Sequence, residues 1–191
     1  MFTRSILSII TLALAAGAAH AQTARDFSVV ASVPEACALQ QPVLSSGSVI
    51  NFRGLNGTTL QVDELTDPRT LSTRAASASV SFGVTCSTPH NLRVESENNG
   101  LWRSATATIP PGFADAVPYR AEITWGELTG QLQADALSRR ANQLNITVNR
   151  TVGSEIDLRL NIQQGASNGH ANAPLIAGVY QDTIRVTVEP Q

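Results

Sequence analysis

Apolar and polar residues alternate in run after run of this chain, and a period of two belongs to half-buried strands rather than helices. Phe27, Val29, Ala31 and Val33 form one such set, which Pro34 ends. Ala76, Ala78, Val80, Phe82 and Val84 form another, and Cys86 continues its face. Leu92 and Val94 follow, then Tyr119, Ala121, Ile123 and Trp125, then Leu144, Ile146 and Val148. Ile156, Leu158, Leu160 and Ile162 alternate with Asp157, Arg159 and Asn161, and Ile184, Val186 and Val188 close the chain. Gly, Pro, Asn and Asp punctuate the runs at 54–57, 67–68, 98–100, 110–112 and 165–174. Many short alternating strands with turns between them predict an all-β antiparallel sandwich or barrel. Leu128, Leu132, Ala136 and Leu144 stand at multiples of four, so a turn or two of helix is also expected within 128–144. A hydrophobic share of 42% and a formal net charge of −2 fit a folded domain rather than a disordered chain.

Residues 1–21 read as a secretory signal peptide: Arg4 as the positive region, an apolar stretch over 5–18, and Ala19-His20-Ala21 as the cleavage site. The apolar stretch is shorter than the roughly 20 residues a membrane span needs. The mature chain is expected to begin at Gln22, with no later membrane span, and to be exported. Residues 22–34 form a short extension and 35–191 one sandwich. Cys37 and Cys86 are the two cysteines, and an exported chain is expected to pair them. A loop of that size contributes about 4 kcal/mol by restricting the unfolded chain.

Several chemistries lack their residues. All 13 basic residues are Arg, so lysine Schiff bases, P-loops and isopeptide bonds to a Lys amine are excluded. No basic excess exists to draw in nucleic acid. His90 and His170 sit beside turn residues and are expected at the surface. No C-x-x-C, no zinc ligand set and no G-x-S-x-G elbow is present, so no cofactor, metal or enzyme activity is expected. Asp63, Glu64 and Asp67 form an acidic loop that could hold a cation. Trp102 and Trp125 could stack on a sugar, although the alternation around Trp125 places it in the core.

The two ends of the chain are informative together. At the front, an alternating apolar strand follows the leader and runs into Cys37. At the back stands Gly178-x-Tyr180-x-Asp182-Thr183, followed by Ile184, Val186 and Val188. With Ile50-Asn51-Phe52-Arg53-Gly54 and the strand leading to Cys86, these features resemble the spore coat protein U domain family, the secreted subunits of archaic chaperone–usher pili. The likeness covers most of the mature chain, but thinly over 100–170, where Tyr119 and Trp125-Gly126 only loosely echo the family pattern. In the Phe-Gly stretch, Arg53 separates the pair.

The resemblance implies an immunoglobulin-like sandwich lacking its last strand, with a hydrophobic groove beside the C-terminal strand. A periplasmic chaperone would fill the groove, and at the outer-membrane usher another subunit's N-terminal extension would replace it. Phe27, Val29, Ala31 and Val33 would be the donor residues, and Tyr180, Ile184, Val186 and Val188 would belong to the acceptor side. Burying four such side chains is worth on the order of 6 kcal/mol before entropy. Head-to-tail donation gives open polymers. Two rival readings stand beside this one. Residues 26–33 could be the first strand of a complete, self-sufficient sandwich that binds a surface or a glycan. A chaperone or tip adhesin would need a second domain that the length leaves little room for.

Overall fold

The structure, a computed structural model, describes residues 28, 30–45, 49–105 and 108–191. The expected signal peptide at 1–21, and Phe27 and Val29 of the expected donor set, lie outside the described residues. Pro34–Gln191 form one compact unit. Within it are β1 (Cys37–Leu39), β2 (Val43–Leu44), β3 (Phe52–Asn56), β4 (Thr59–Val62), β5 (Ala76–Cys86), β6 (His90–Ser96) and β7 (Leu101–Arg103). There follow β8 (Ala116–Val117), β9 (Tyr119–Trp125), β10 (Leu128–Ala134), β11 (Asn142–Val148), β12 (Val152–Ile162), β13 (Tyr180–Gln181) and β14 (Ile184–Pro190). All named pairings are antiparallel. The fold is an all-β sandwich, and among the described residues no helix is long and apolar enough to cross a membrane.

One sheet runs β1-β5-β12-β9-β10, with β2 also on β5; the other runs β11-β6-β14. Two smaller sheets, β13-β7-β8 and the β3-β4 hairpin, complete the domain. The alternation places the core between the layers. Val80 and Val84 of β5, Ile123 and Trp125 of β9, and Ile156 and Leu158 of β12 meet Leu92 and Val94 of β6. Leu92 and Ile156 are fully buried.

The helix expected within 128–144 is replaced by two strands. Leu128, Leu132 and Ala134 point inward from β10, and Leu144 and Ile146 do so from β11. A spacing of four satisfies a period of two as well as a helical turn, so the sequence signal was ambiguous. The Gly126-Glu127 turn resolves it. Trp125 pairs directly with Leu128, and Gly126 has a φ of 60°, which suits a tight two-residue hairpin.

Cys37 and Cys86 are bonded, as expected. They are directly opposed on β1 and β5, with Cα atoms 4.1 Å apart. The neighbouring pair carries a backbone bond from Ser87 N to the Ala36 carbonyl, which leaves Cys37 and Cys86 at a non-hydrogen-bonded position. There the side chains of facing strands come closest.

A candidate acceptor groove along the C-terminal strand

Among the described residues β14 is hydrogen-bonded to β6 alone, so its other edge, which β1 approaches without forming a ladder, offers unpaired backbone groups. Its inward residues Ile184, Val186 and Val188 are only half-buried, although they pack against the core. Beside them lies an open groove of about 570 Å³. Its floor includes Val80 and Phe82 of β5 and Leu158, Leu160 and Ile162 of β12. One wall is Ile184 and Val186; the other is the β3-β4 hairpin, with residues 39–42 at the margin.

The hairpin wall depends on one irregularity. Phe52 and Leu55 both line the groove, yet three residues apart on a regular strand they would face opposite ways. The register shifts between Phe52 and Gly54, so β3 carries an extra residue and both side chains reach the same face. Gly54 has a φ of 126° there, a conformation that a side chain disfavours. Arg53 at the bulge faces away and pairs with Asp63 at 2.7 Å.

A carboxylate anchors the root of β14. Asp182 accepts hydrogen bonds from Ser96 Oγ (2.5 Å), Tyr119 OH (2.7 Å) and the backbone N–H groups of Asn98 (2.9 Å) and Thr183 (2.8 Å). Asn98 Nδ2 adds a further bond at 3.1 Å. This network joins β6, β9 and the entry to β14, and it accounts for the Asp of the C-terminal motif. Burial holds the Tyr119 hydroxyl far above its usual range, and the Asp182 charge adds to the effect. Tyr180 is held differently. It stands on β13, paired with Arg103 of β7, and its hydroxyl donates to the Ile176 carbonyl at 2.8 Å. Burial is the main cause that pushes its pKa up to about 12.

Of the residues expected on the acceptor side, Ile184 and Val186 line the groove. Val188 continues their face but is not among the lining residues, and Tyr180 belongs to the separate β13-β7-β8 sheet. Ala31 and Val33 of the expected donor set are exposed and carry no strand assignment. The hairpin wall and the β12 floor were missed as site residues. The Asn56-Gly57 turn signal and the β12 alternation were legible, but nothing local said that both faced an open cleft.

Three other expectations change. His90 is fully buried, while His170 is exposed. His90 is the first inward residue of β6, in phase with Leu92 and Val94, and the flanking Pro89 and Asn91 gave it the look of a turn. Its Nδ1 meets the Thr88 carbonyl at 2.9 Å, and its ring tilts against Trp125 with centroids 4.8 Å apart. The acidic loop is already used: Asp63 pairs with Arg53, Glu64 with Arg74, and Asp67 accepts from the N–H groups of Arg69 and Thr70. Those two backbone bonds hold the Asp67 carboxyl below its ordinary pKa. Trp125 offers no face for stacking, whereas Trp102 is only partly covered. Trp125 is 2% exposed with its N–H on Ser154 Oγ, and the half-buried Trp102 donates to the Asn98 carbonyl.

No family model matches the chain, and no curated protein matches it.

Proposed function

We propose that this chain is a structural subunit of a surface pilus or coat, exported and then assembled by donor-strand exchange. The observation that carries the reading is the apolar groove beside β14, whose outer edge has no strand partner among the described residues. An added strand would use the free backbone groups of β14 for affinity and the alternating apolar floor for register. The segment before Cys37 has the matching pattern: Phe27, Val29, Ala31 and Val33 fall on one face of an extended strand. The resemblance to the spore coat protein U domain points the same way. A periplasmic chaperone and an outer-membrane usher would be the assembly partners, and other copies or related subunits the final neighbours.

The test compares chains 22–191 and 35–191 by size exclusion with light scattering, each with and without a peptide of residues 24–35. Oligomer ladders from the longer chain, with a low-melting monomer from the shorter one that the peptide stabilises, are expected. A stable monomer from 22–191, with a 35–191 chain that the peptide fails to rescue, would make residues 26–33 an internal strand. A self-contained sandwich that binds a surface or glycan would then be the better reading.

A further inference from the structure

The disulfide shares its corner of the core with the buried histidine. Cys86 ends β5 and His90 opens β6, and the tight 87–89 connection brings them together. Cys37 Sγ, Cys86 Sγ and one ring nitrogen of His90 all lie within 4.8 Å of one another. The Thr88 carbonyl can only accept, so Nδ1 carries the proton and Nε2 the free lone pair. Nε2 is buried and makes no hydrogen bond among the described residues. An imidazole that donates through one nitrogen to a backbone carbonyl, leaving the other as a bare lone pair, is set as metal-ligating histidines are.

We propose that Cys37, Cys86 and His90 form a Cys₂His site for Zn²⁺ that opens only when the disulfide is reduced. A dithiol or phosphine donor supplies two electrons, the S–S bond breaks, and two protons convert the sulfurs to thiols while the donor is oxidised. Zn²⁺ then binds as both thiols lose their protons to solvent. Two thiolates, a neutral imidazole and Zn²⁺ sum to zero charge, which suits a buried site. His90 supplies the third ligand and a fourth position stays open, a set typical of zinc. The ion would tie β1 to β5 as the disulfide does; Leu39 closes β1, and residues 40–42, which follow it, stand with it at the margin of the groove. The inference stands whether or not the groove accepts a donor strand.

The test uses the full chain, reduced with a phosphine in the absence of oxygen and titrated with Co²⁺ and then Zn²⁺. One equivalent of Co²⁺ is expected to give thiolate-to-metal charge-transfer absorption in the reduced chain and none in the oxidised chain, with Zn²⁺ displacing it. His90→Gln is expected to weaken Co²⁺ binding by about ten-fold or more. Equal binding by His90→Gln, or no charge-transfer band in the reduced native chain, overturns the site. Should His90→Gln fail to fold, X-ray absorption on the Zn²⁺-loaded native chain decides. Two sulfurs at about 2.3 Å with a nitrogen at about 2.0 Å support the site. A shell of sulfur alone, or of nitrogen and oxygen alone, overturns it.

Discussion

β12 and β14 carry the same alternating pattern and meet different fates. β12 lies between β5 and β9, hydrogen-bonded on both sides, and of its inward residues Ile156, Leu158 and Ile162 are at most 3% exposed while Leu160 is half-buried. Among the described residues β14 pairs on one side only, and Ile184, Val186 and Val188 remain half-buried. The contrast separates two meanings of an apolar period. In β12, covered on both edges, the pattern is nearly closed off, although Leu158, Leu160 and Ile162 also floor the groove; in β14 the whole apolar run stays half in water beside it.

The largest effect expected concerns the disulfide that ties β1 to β5. Replacing Cys37 and Cys86 together by Ser should cost about 4 kcal/mol in denaturant unfolding. A loss under about 1 kcal/mol would mean that β1 is held mainly by its pairing with β5.

Next comes the comparison itself. Ile156→Ala should cost about 3 kcal/mol, because it leaves a cavity in a closed layer. Val186→Ala should cost about 1 kcal/mol in the isolated chain, where the side chain is half in water. Adding the 24–35 peptide should enlarge the cost of Val186→Ala and leave that of Ile156→Ala unchanged. Equal costs without the peptide would erase the distinction between the strands.

The anchor at the root of β14 is the third point of attack. Tyr119→Phe removes a hydrogen bond to a carboxylate and should cost about 2 kcal/mol at neutral pH. The tyrosines also predict a pH window. Both have folded pKa values raised above the ordinary 10.0. Below pH 10 both states keep the phenolic proton, and the tyrosines add no pH dependence. As pH rises beyond 10, the unfolded chain releases protons that the folded chain holds, so stability falls. The contribution of Tyr180 should be spent by about pH 12, where its folded form also ionises. Alkaline unfolding of Tyr119→Phe should show a shallower decline than the native chain, and an unchanged slope would place the loss elsewhere.

The smallest effect is expected on the outer face of the hairpin wall. Arg53 and Asp63 are largely exposed, so Asp63→Asn should change stability by about 0.5 kcal/mol or less. A larger loss would mean that the ion pair holds the bulge that turns Phe52 and Leu55 to one face.

Much of this was legible in the chain. Alternation alone identified β5, β9, β12 and β14 and the side of each that faces inward, because a one-residue slip would exchange core for solvent. Two cysteines allow one pairing. The misread segments share a cause: local signals that two structures satisfy. Residues 128–144 fit a helix or a hairpin until the Gly126 turn pairs Trp125 with Leu128. His90 beside Pro89 fits a turn or a strand start until Leu92 and Val94 fix the face.

Alternation along the chain was enough to say that strands would form and which face β5, β9, β12 and β14 would bury, and two cysteines were enough to say that Cys37 and Cys86 would pair. Only the tertiary structure decided which strand edge stays open, that a bulge at Gly54 turns Phe52 and Leu55 toward the same groove, and that Asp182 gathers donors from β6 and β9. The reason is the range of the interactions. Side-chain period is set by neighbours along the chain, whereas strand pairing and the meeting of buried polar groups join residues far apart, as with Ser96 and Asp182, 86 positions distant. An alternating pattern states that a face must be covered; what covers it is settled only when the sheets assemble.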